Sequence, residues 1–237
     1  MISAREQLIV ALDVPTQADA ASLVTRLGES VHTYKVGLEL YTSEGPRVVR
    51  HLVASGKKVF LDLKCHDIPN TVAAAVRQAA RLDVSMLTVH AAGGPKMLAA
   101  ASRAARENSQ ELKVLAVTVL TSLNDEDLES TGIPGGVKEQ VLRLASVALE
   151  AGCHGVVSSA QEVRLLRTSL GREFLAVTPG VRPQGTAPGD QARVVTPAKA
   201  IAAGATHIVV GRPIIASADP VREVEKIQRE IAMQPVT

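Results

Sequence analysis

Between positions 59 and 71 the chain reads Val-Phe-Leu-Asp-Leu-Lys-Cys-His-Asp-Ile-Pro-Asn-Thr, and the charged groups of this run carry the strongest chemical signal in the sequence. Side chains alternate along a strand, so Asp62 and Lys64 share one face while Leu61 and Leu63 share the other. The leucines suit packing under helices, which leaves the acid and the base pointing into whatever the sheet encloses. Taken singly, an Asp or a Lys here reads more simply as a strand-end ion pair or a helix cap. Three charges together change the balance. A buried opposite-charge pair is costly to desolvate and seldom chosen for stability, so Asp62, Lys64 and Asp67 point to a site. Pro69 fits a helix start and carries no chemistry.

A second lysine, Lys35, lies inside the strand-like run Thr33-Tyr34-Lys35-Val36-Gly37-Leu38. Alone it can equally snorkel to the surface. Beside the carboxylates it completes an alternating charge network, in which nearby acids favour the charged form of Lys64. Asp13 ends an earlier apolar run and is either a turn or cap residue or an acceptor for a sugar hydroxyl. Near the C-terminus, Thr178-Pro179-Gly180-Val181-Arg182 and Val210-Gly211-Arg212-Pro213-Ile214 each put a glycine and an arginine after a strand. Either segment alone is weak. In register, they describe a phosphate site of backbone N–H groups, a short helix N-terminus and guanidinium groups.

These residues need a frame that brings strand ends together. Short β-branched runs at 8–13, 33–38, 58–63, 86–90, 114–120, 155–158, 174–178 and 207–210 predict eight strands. Alanine-rich stretches of helical spacing lie between them, at 71–82, 96–108, 138–151 and 161–170 among others, which is the pattern of repeated βα units. An open doubly wound α/β sheet alternates in the same way, but eight strands favour closure into a single (β/α)8 barrel, a TIM barrel. No Gly-x-Gly-x-x-Gly follows the first strand, so the usual dinucleotide reading of that turn is excluded. The longer connections at 121–136 and 180–190 are where such a barrel places its chemistry, at the C-terminal ends of its strands.

The bulk properties agree. A chain of 237 residues, 46% hydrophobic and 21% charged, can bury a large core, and nothing marks a second domain, so residues 1–237 are expected to form one. Aromatic residues make up only 2%, so Ala, Val, Leu and Ile must fill the core. A net charge of +2 supplies no overall field for nucleic acid or a membrane surface. No apolar run is long enough to span a bilayer, and Cys65 and Cys153 form no metal or redox motif, so a reducing, cytoplasmic setting is expected. His90, His154 and His207 stand at strand ends without metal-ligand spacing and read as structural, with His66 a bystander. Ser158-Ser159 has no partner for a nucleophilic triad. Nothing requires a metal or a cofactor.

With these segments assembled, the chain resembles the orotidine 5′-phosphate decarboxylase family in its shorter bacterial form. The longest shared element runs from Asp62 to Thr71, supported by Ala11-Leu12-Asp13, Tyr34-Lys35-Val36-Gly37 and the two Gly/Arg segments. The resemblance implies conversion of orotidine 5′-monophosphate to UMP by a homodimer, without metal or cofactor. It implies that Lys35, Asp62, Lys64 and Asp67 form the catalytic network, with Lys64 donating a proton to C6 and Asp67 reaching into the partner subunit's site. Asp13 and Lys35 would contact ribose, Ile68 and Thr71 would serve the neighbouring site, and Thr121 and Ser122 would lie near the pyrimidine. Arg182, Gln191, Gly211 and Arg212 would bind phosphate, with residues 180–191 as a lid.

Two other readings compete. A magnesium-dependent phosphosugar lyase of the related barrel group, such as 3-keto-gulonate-6-phosphate decarboxylase or hexulose-phosphate synthase, shares Asp-x-Lys-x-x-Asp but carries an acid where this chain has Lys35. A noncatalytic barrel that binds a phosphorylated ligand is the alternative from outside enzymology, and it has little use for two partly buried lysines.

Overall fold

The computed structural model describes residues 2–183 and 195–233. Eight parallel strands close on themselves in sequence order: β1 (Leu8–Ala11), β2 (Thr33–Val36), β3 (Lys58–Cys65), β4 (Met86–His90), β5 (Lys113–Val117), β6 (Gly155–Val157), β7 (Leu175–Thr178) and β8 (His207–Val210). Closure is made by β8 against β1, with Leu8 opposite Ile208 and Val10 opposite Val210. The expected TIM barrel is therefore the observed one.

Alternation along each strand separates two apolar regions. Ile9, Ala11, Phe60, Met86, Leu115, Val117, Val157, Val177 and Val209 fill the barrel interior. Their neighbours Val10, Tyr34, Leu61, Leu87, Val114, Ala116, Val156 and Ile208 face outward into the layer shared with the helices. β6 and β7 approach so closely that a Cβ on Gly155 would run into the Leu175 carbonyl, so only glycine fits there.

The helices are α1 (Ala4–Gln7), α2 (Gln17–Leu27), α3 (Leu38–Glu44), α4 (Pro46–Ala54), α5 (Pro69–Arg81), α6 (Gly94–Asn108), α7 (Asp125–Ser130), α8 (Gly136–Glu150), α9 (Ala160–Leu170), α10 (Pro197–Ala202), α11 (Arg212–Ile215) and α12 (Pro220–Ala232). Their starts carry ordinary signals: Thr16, Ser159, Thr196 and Asp219 accept the N–H groups that a first turn leaves unbonded. Proline opens α5 and α12, where its missing N–H costs nothing. In α5, Val72, Ala73, Val76, Ala79 and Ala80 form the buried stripe, and these small side chains let α5 pack closely on the alanine-rich α6. Among the described residues, no helix is long and apolar enough to cross a membrane.

The strand ends differ from the sequence expectation in an instructive way. β1 and β2 stop at Ala11 and Val36, and β5 stops at Val117 rather than at 120. Past the rim a chain keeps a neighbour on one side only: Leu12 N–H still bonds the Lys35 carbonyl at 2.9 Å, and Thr118 N–H bonds that of Val157 at 3.2 Å. β3 goes the other way, continuing to Cys65. The connection at 121–136, expected to be a long loop, also contains a helix, α7. Its signal was a reciprocal cap, in which Asn124 Oδ1 accepts the Asp127 N–H while Asp127 Oδ2 accepts the Asn124 N–H, both at 2.9 Å.

The histidines take structural partners. His154 Nδ1 accepts the Val114 N–H at 3.1 Å, and His207 Nδ1 lies 3.0 Å from Thr206 Oγ1 at the start of β8. Burial, followed by the charge of Lys58, pushes His207 down to about 4, against the weaker opposing pull of Glu6. Burial lowers His90 and His154 as well. A histidine held neutral in the fold but titrating near 6.5 when unfolded leaves stability intact above about pH 6.5 and removes it as pH falls toward 4. The thermal midpoint should therefore drop between pH 7 and pH 4.5, and His207→Asn should make that slope shallower without abolishing it. Thermal unfolding across this range checks the assignment, and an unchanged slope in the variant refutes it.

Candidate active site

At the C-terminal ends of the strands, a cavity of about 410 Å³ opens over the apolar interior. Ala11, Phe60, Val117, Val157 and Val209 form its lower wall, with Phe60 buried across the floor. Its size lies within the range of small-molecule sites. Asp13, Lys35, Asp62, Lys64, Thr121, Ser122, Arg182, Gly211 and Arg212 all line it. Residues from six different segments are thus brought together as the sequence predicted.

The charges form a chain. Lys35 Nζ stands 2.9 Å from Asp13 Oδ1 and 3.8 Å from Asp62 Oδ2, and that same Asp62 oxygen lies 2.9 Å from Lys64 Nζ. Two acids and two bases alternate across three strand ends, so their charges balance locally. Water is largely withdrawn from Lys35 and Asp62, whose side chains are each 13% exposed, while Lys64 is 33% exposed toward the cavity. In such surroundings a charge acts over a longer range than in water, because less solvent screens it.

The strand that carries Asp62 and Lys64 is not regular. Leu61 of β3 pairs with Leu87 of β4, and the next pair is Cys65 with Val89, so four steps on β3 match two on β4. Two extra residues are accommodated by a bulge, a device that re-aims side chains beside active sites. Lys64 takes a left-handed backbone with φ of 51°, one of two non-glycine residues at positive φ among the described residues. Such a backbone costs on the order of 1–3 kcal/mol and persists only where its surroundings hold it. Simple alternation predicts a shared face for Asp62 and Lys64, and the structure brings the two side chains together although both lie within the irregular stretch.

The residue that receives the displaced Lys64 backbone was missed. Thr88 on β4, fully buried, accepts the Lys64 N–H at 2.8 Å and donates its hydroxyl proton to Asp62 Oδ1 at 2.9 Å. Its signal was available: in Met86-Leu87-Thr88-Val89-His90 it has the parity of the interior-facing Met86, beside the strand that carries the charges. Gly37 has no side chain to signal a role in sequence, yet a Cβ there would stand 2.9 Å from Lys35 Nζ and 3.7 Å from Asp13 Oδ1.

Asp67, Ile68 and Thr71 lie outside this group. They are exposed at the start of α5, they do not line the cavity of their own chain, and Asp67 Oδ1 accepts the Ile68 N–H at 2.6 Å. His66 stacks on His90 with ring centres 5.3 Å apart. Across the cavity, burial and then the positive charge of Arg212 lower Arg182, as expected of two guanidinium groups close enough to repel. A multiply charged anion between them would relieve that repulsion. Val181 pairs with Val195, and the Arg182 N–H bonds the Val195 carbonyl at 2.9 Å. Gln191, with most of the expected lid, lies outside the described residues. Among the described residues, no group of three or more His, Cys, Asp and Glu side chains is disposed to hold a metal ion.

Comparison with known proteins bears on this arrangement. The sequence profile of the orotidine 5′-phosphate decarboxylase / HUMPS family matches residues 6–227. The chain is 52% identical to the orotidine 5′-phosphate decarboxylase of Moorella thermoacetica, over 97% of this chain and 94% of that protein. It is 49% identical to that of Saccharophagus degradans, over 95% of each. The crystal structure of orotidine 5′-phosphate decarboxylase from Lactobacillus acidophilus superposes with a TM-score of 0.86 at 38% identity, covering 95% of this chain and 99% of that one.

Gly37 allows a direct test of the charge chain. Its φ of −97° suits any residue, and the atom that an added methyl would meet first is the mobile tip of Lys35, so Gly37→Ala should fold. The displaced ammonium should lower turnover about tenfold, which corresponds to the loss of roughly one charge-assisted contact, while the thermal midpoint moves by less than about 3 °C. Parallel kinetics and thermal melts check this, and wild-type turnover would show that the Lys35 position tolerates displacement.

Proposed function

The chain belongs to the orotidine 5′-phosphate decarboxylase / HUMPS family, and from that premise we propose how its site removes CO2 from the substrate. The enzyme is a carboxy-lyase that converts orotidine 5′-monophosphate to UMP in pyrimidine biosynthesis. The observation that carries the mechanism is the Lys35, Asp62 and Lys64 array at one side of a cavity whose other side holds Arg182 and Arg212.

In this reading the 5′-phosphate lies against Arg182, Arg212 and the Gly211 backbone, with Gln191 as a further contact. Asp13 and Lys35 hold the ribose hydroxyls, and Thr121 and Ser122 face the pyrimidine. C6 and its carboxylate then stand before Asp62 and Lys64. When the C6–carboxylate bond breaks, its electron pair stays on C6 and CO2 departs. The ring offers that pair no conventional sink, so a positive charge already in place is the available stabiliser. The Lys64 ammonium supplies it, then transfers a proton to C6 to give UMP, and the neutral amine regains a proton from solvent. Asp62 beside the substrate carboxylate repels it, and loss of CO2 relieves that repulsion. Phosphate binding contributes at a distance, since energy gained at Arg212 can be used to hold the reacting carbon in place.

The reading includes a homodimer in which Asp67, Ile68 and Thr71 serve the partner's site. Ile68 is 67% exposed, a large apolar surface to leave in water, and it sits beside a carboxylate that its own cavity does not use. A cytoplasmic location and a single barrel domain over residues 1–237 complete it, the former supported by two free thiols, Cys65 and Cys153.

The decisive experiment follows the absorbance of orotidine 5′-monophosphate with purified enzyme in EDTA. Rapid conversion to UMP is expected, with Lys64→Ala lowering kcat by at least about a thousandfold. A variant that kept a tenth of the wild-type rate would remove Lys64 as donor, and activity that required added magnesium would support the phosphosugar lyase chemistry instead. The shared site is tested by mixing two inactive variants, Lys64→Ala and Asp67→Ala. Each hybrid dimer regains one intact site, so about a quarter of wild-type activity should return after subunit exchange. No recovery, with exchange demonstrated, would place Asp67 in the service of its own chain.

A further inference from the structure

We infer that Thr88 is a positioning residue for the decarboxylation, holding Lys64 and Asp62 in their working geometry through one hydroxyl group. This inference rests on the assignment of Lys64 as the proton donor. The Lys64 amide can only donate and the Asp62 carboxylate can only accept, so the direction of both bonds through Thr88 Oγ1 is set: Lys64 N–H to Thr88 oxygen at 2.8 Å, then Thr88 O–H to Asp62 Oδ1 at 2.9 Å. The hydroxyl has one proton and gives it to Asp62.

Two consequences follow from this direction. The first concerns the backbone. The bulge in β3 removes Lys64 from ladder pairing, and its left-handed φ of 51° is unfavourable for a lysine, so the half-buried amide needs a partner that regular pairing does not supply. Thr88, itself fully buried, is that partner. The second concerns the carboxylate. With Oδ1 occupied by the hydroxyl, Oδ2 is the oxygen that meets both ammonium groups, Lys64 at 2.9 Å and Lys35 at 3.8 Å. Without the hydroxyl, Asp62 is free to turn and take Lys64 on both oxygens, which draws the ammonium away from C6. Thr88 therefore sets the distance between donor and reacting carbon without touching the substrate.

Thr88→Val keeps the branched shape and removes the hydroxyl, whereas Thr88→Ser keeps the hydroxyl and removes the methyl. Thr88→Val should lower kcat by about ten- to a hundredfold, the loss expected for hydrogen bonding to a charged group, with KM changed by less than about threefold. Thr88→Ser should stay within about threefold of wild type. A second readout isolates proton transfer: by microscopic reversibility, Lys64 must also remove the C6 proton of UMP, so exchange of that proton for deuterium in D2O should slow in Thr88→Val in step with kcat. If Thr88→Val does not fold, Thr88→Ser against Thr88→Ala offers the same hydroxyl comparison. Wild-type kcat without the hydroxyl, or equal loss in Thr88→Ser and Thr88→Val, overturns the inference. Lys64→Ala separates this outcome from failure of the mechanism itself: an inactive Lys64→Ala beside an unaffected Thr88→Val rejects the positioning role alone.

Discussion

A carboxylate and two ammonium groups withdrawn from water hold together only if every donor and acceptor among them is matched, and Asp62 is the group on which that matching turns. One of its oxygens serves two lysines and the other serves a threonine. Removing Asp62 itself would leave the Lys64 ammonium, partly withdrawn from water, without its carboxylate, and breaking such a pair costs more than the pair contributes to stability. Such an arrangement makes little sense as a means of holding the fold together. It makes sense as a field prepared before substrate arrives, so that no reorganisation is needed when charge develops at the reacting carbon.

The barrel meets this demand by separating two tasks. Its lower interior is apolar and filled by aliphatic side chains with Phe60 above them, and this part sets the spacing of the strands. The rim carries the charged groups, on residues at or just beyond the point where ladder pairing ends. Asp13 lies two residues past β1, and Arg212 lies two past β8. A charged group placed deeper would face only hydrocarbon, and one placed farther out would be solvated and mobile. The early ends of β1 and β2 therefore shape the cavity as well as the fold.

Much of this was legible in the sequence, for reasons that differ by residue. The strands could be read because β-branched runs and alanine-rich helices have different periods, and their number pointed to closure. Asp62 and Lys64 stood out because charge is rare on a strand face that alternates with leucine. Thr88 did not stand out, since a threonine in a β-branched run is an ordinary strand residue, and its role comes from a neighbour 24 positions earlier in the chain. The bulge was invisible for a related reason: a count of residues on one strand acquires meaning only against its partner. Asp67 belongs to the charged motif in the sequence, but the geometry of one chain leaves it outside the cavity.

The bulge in β3 also bears on how this protein can change over evolutionary time. Insertions and deletions are usually tolerated in surface loops and avoided in strands. Here the stretch from Leu61 to Cys65 has a length that is itself under constraint, and the constraint is arithmetic. Loss of a single residue would shift everything downstream by one side-chain position and turn Lys64 toward the apolar layer in which Leu61, Leu63 and Cys65 pack. Loss of two would restore the alternation but straighten the strand and pull the lysine back from the rim. Substitutions at the outward-facing Leu61 and Leu63 leave this frame intact, whereas changes in length meet a barrier on either side, so relatives should keep the number of residues here as well as the two charges it carries.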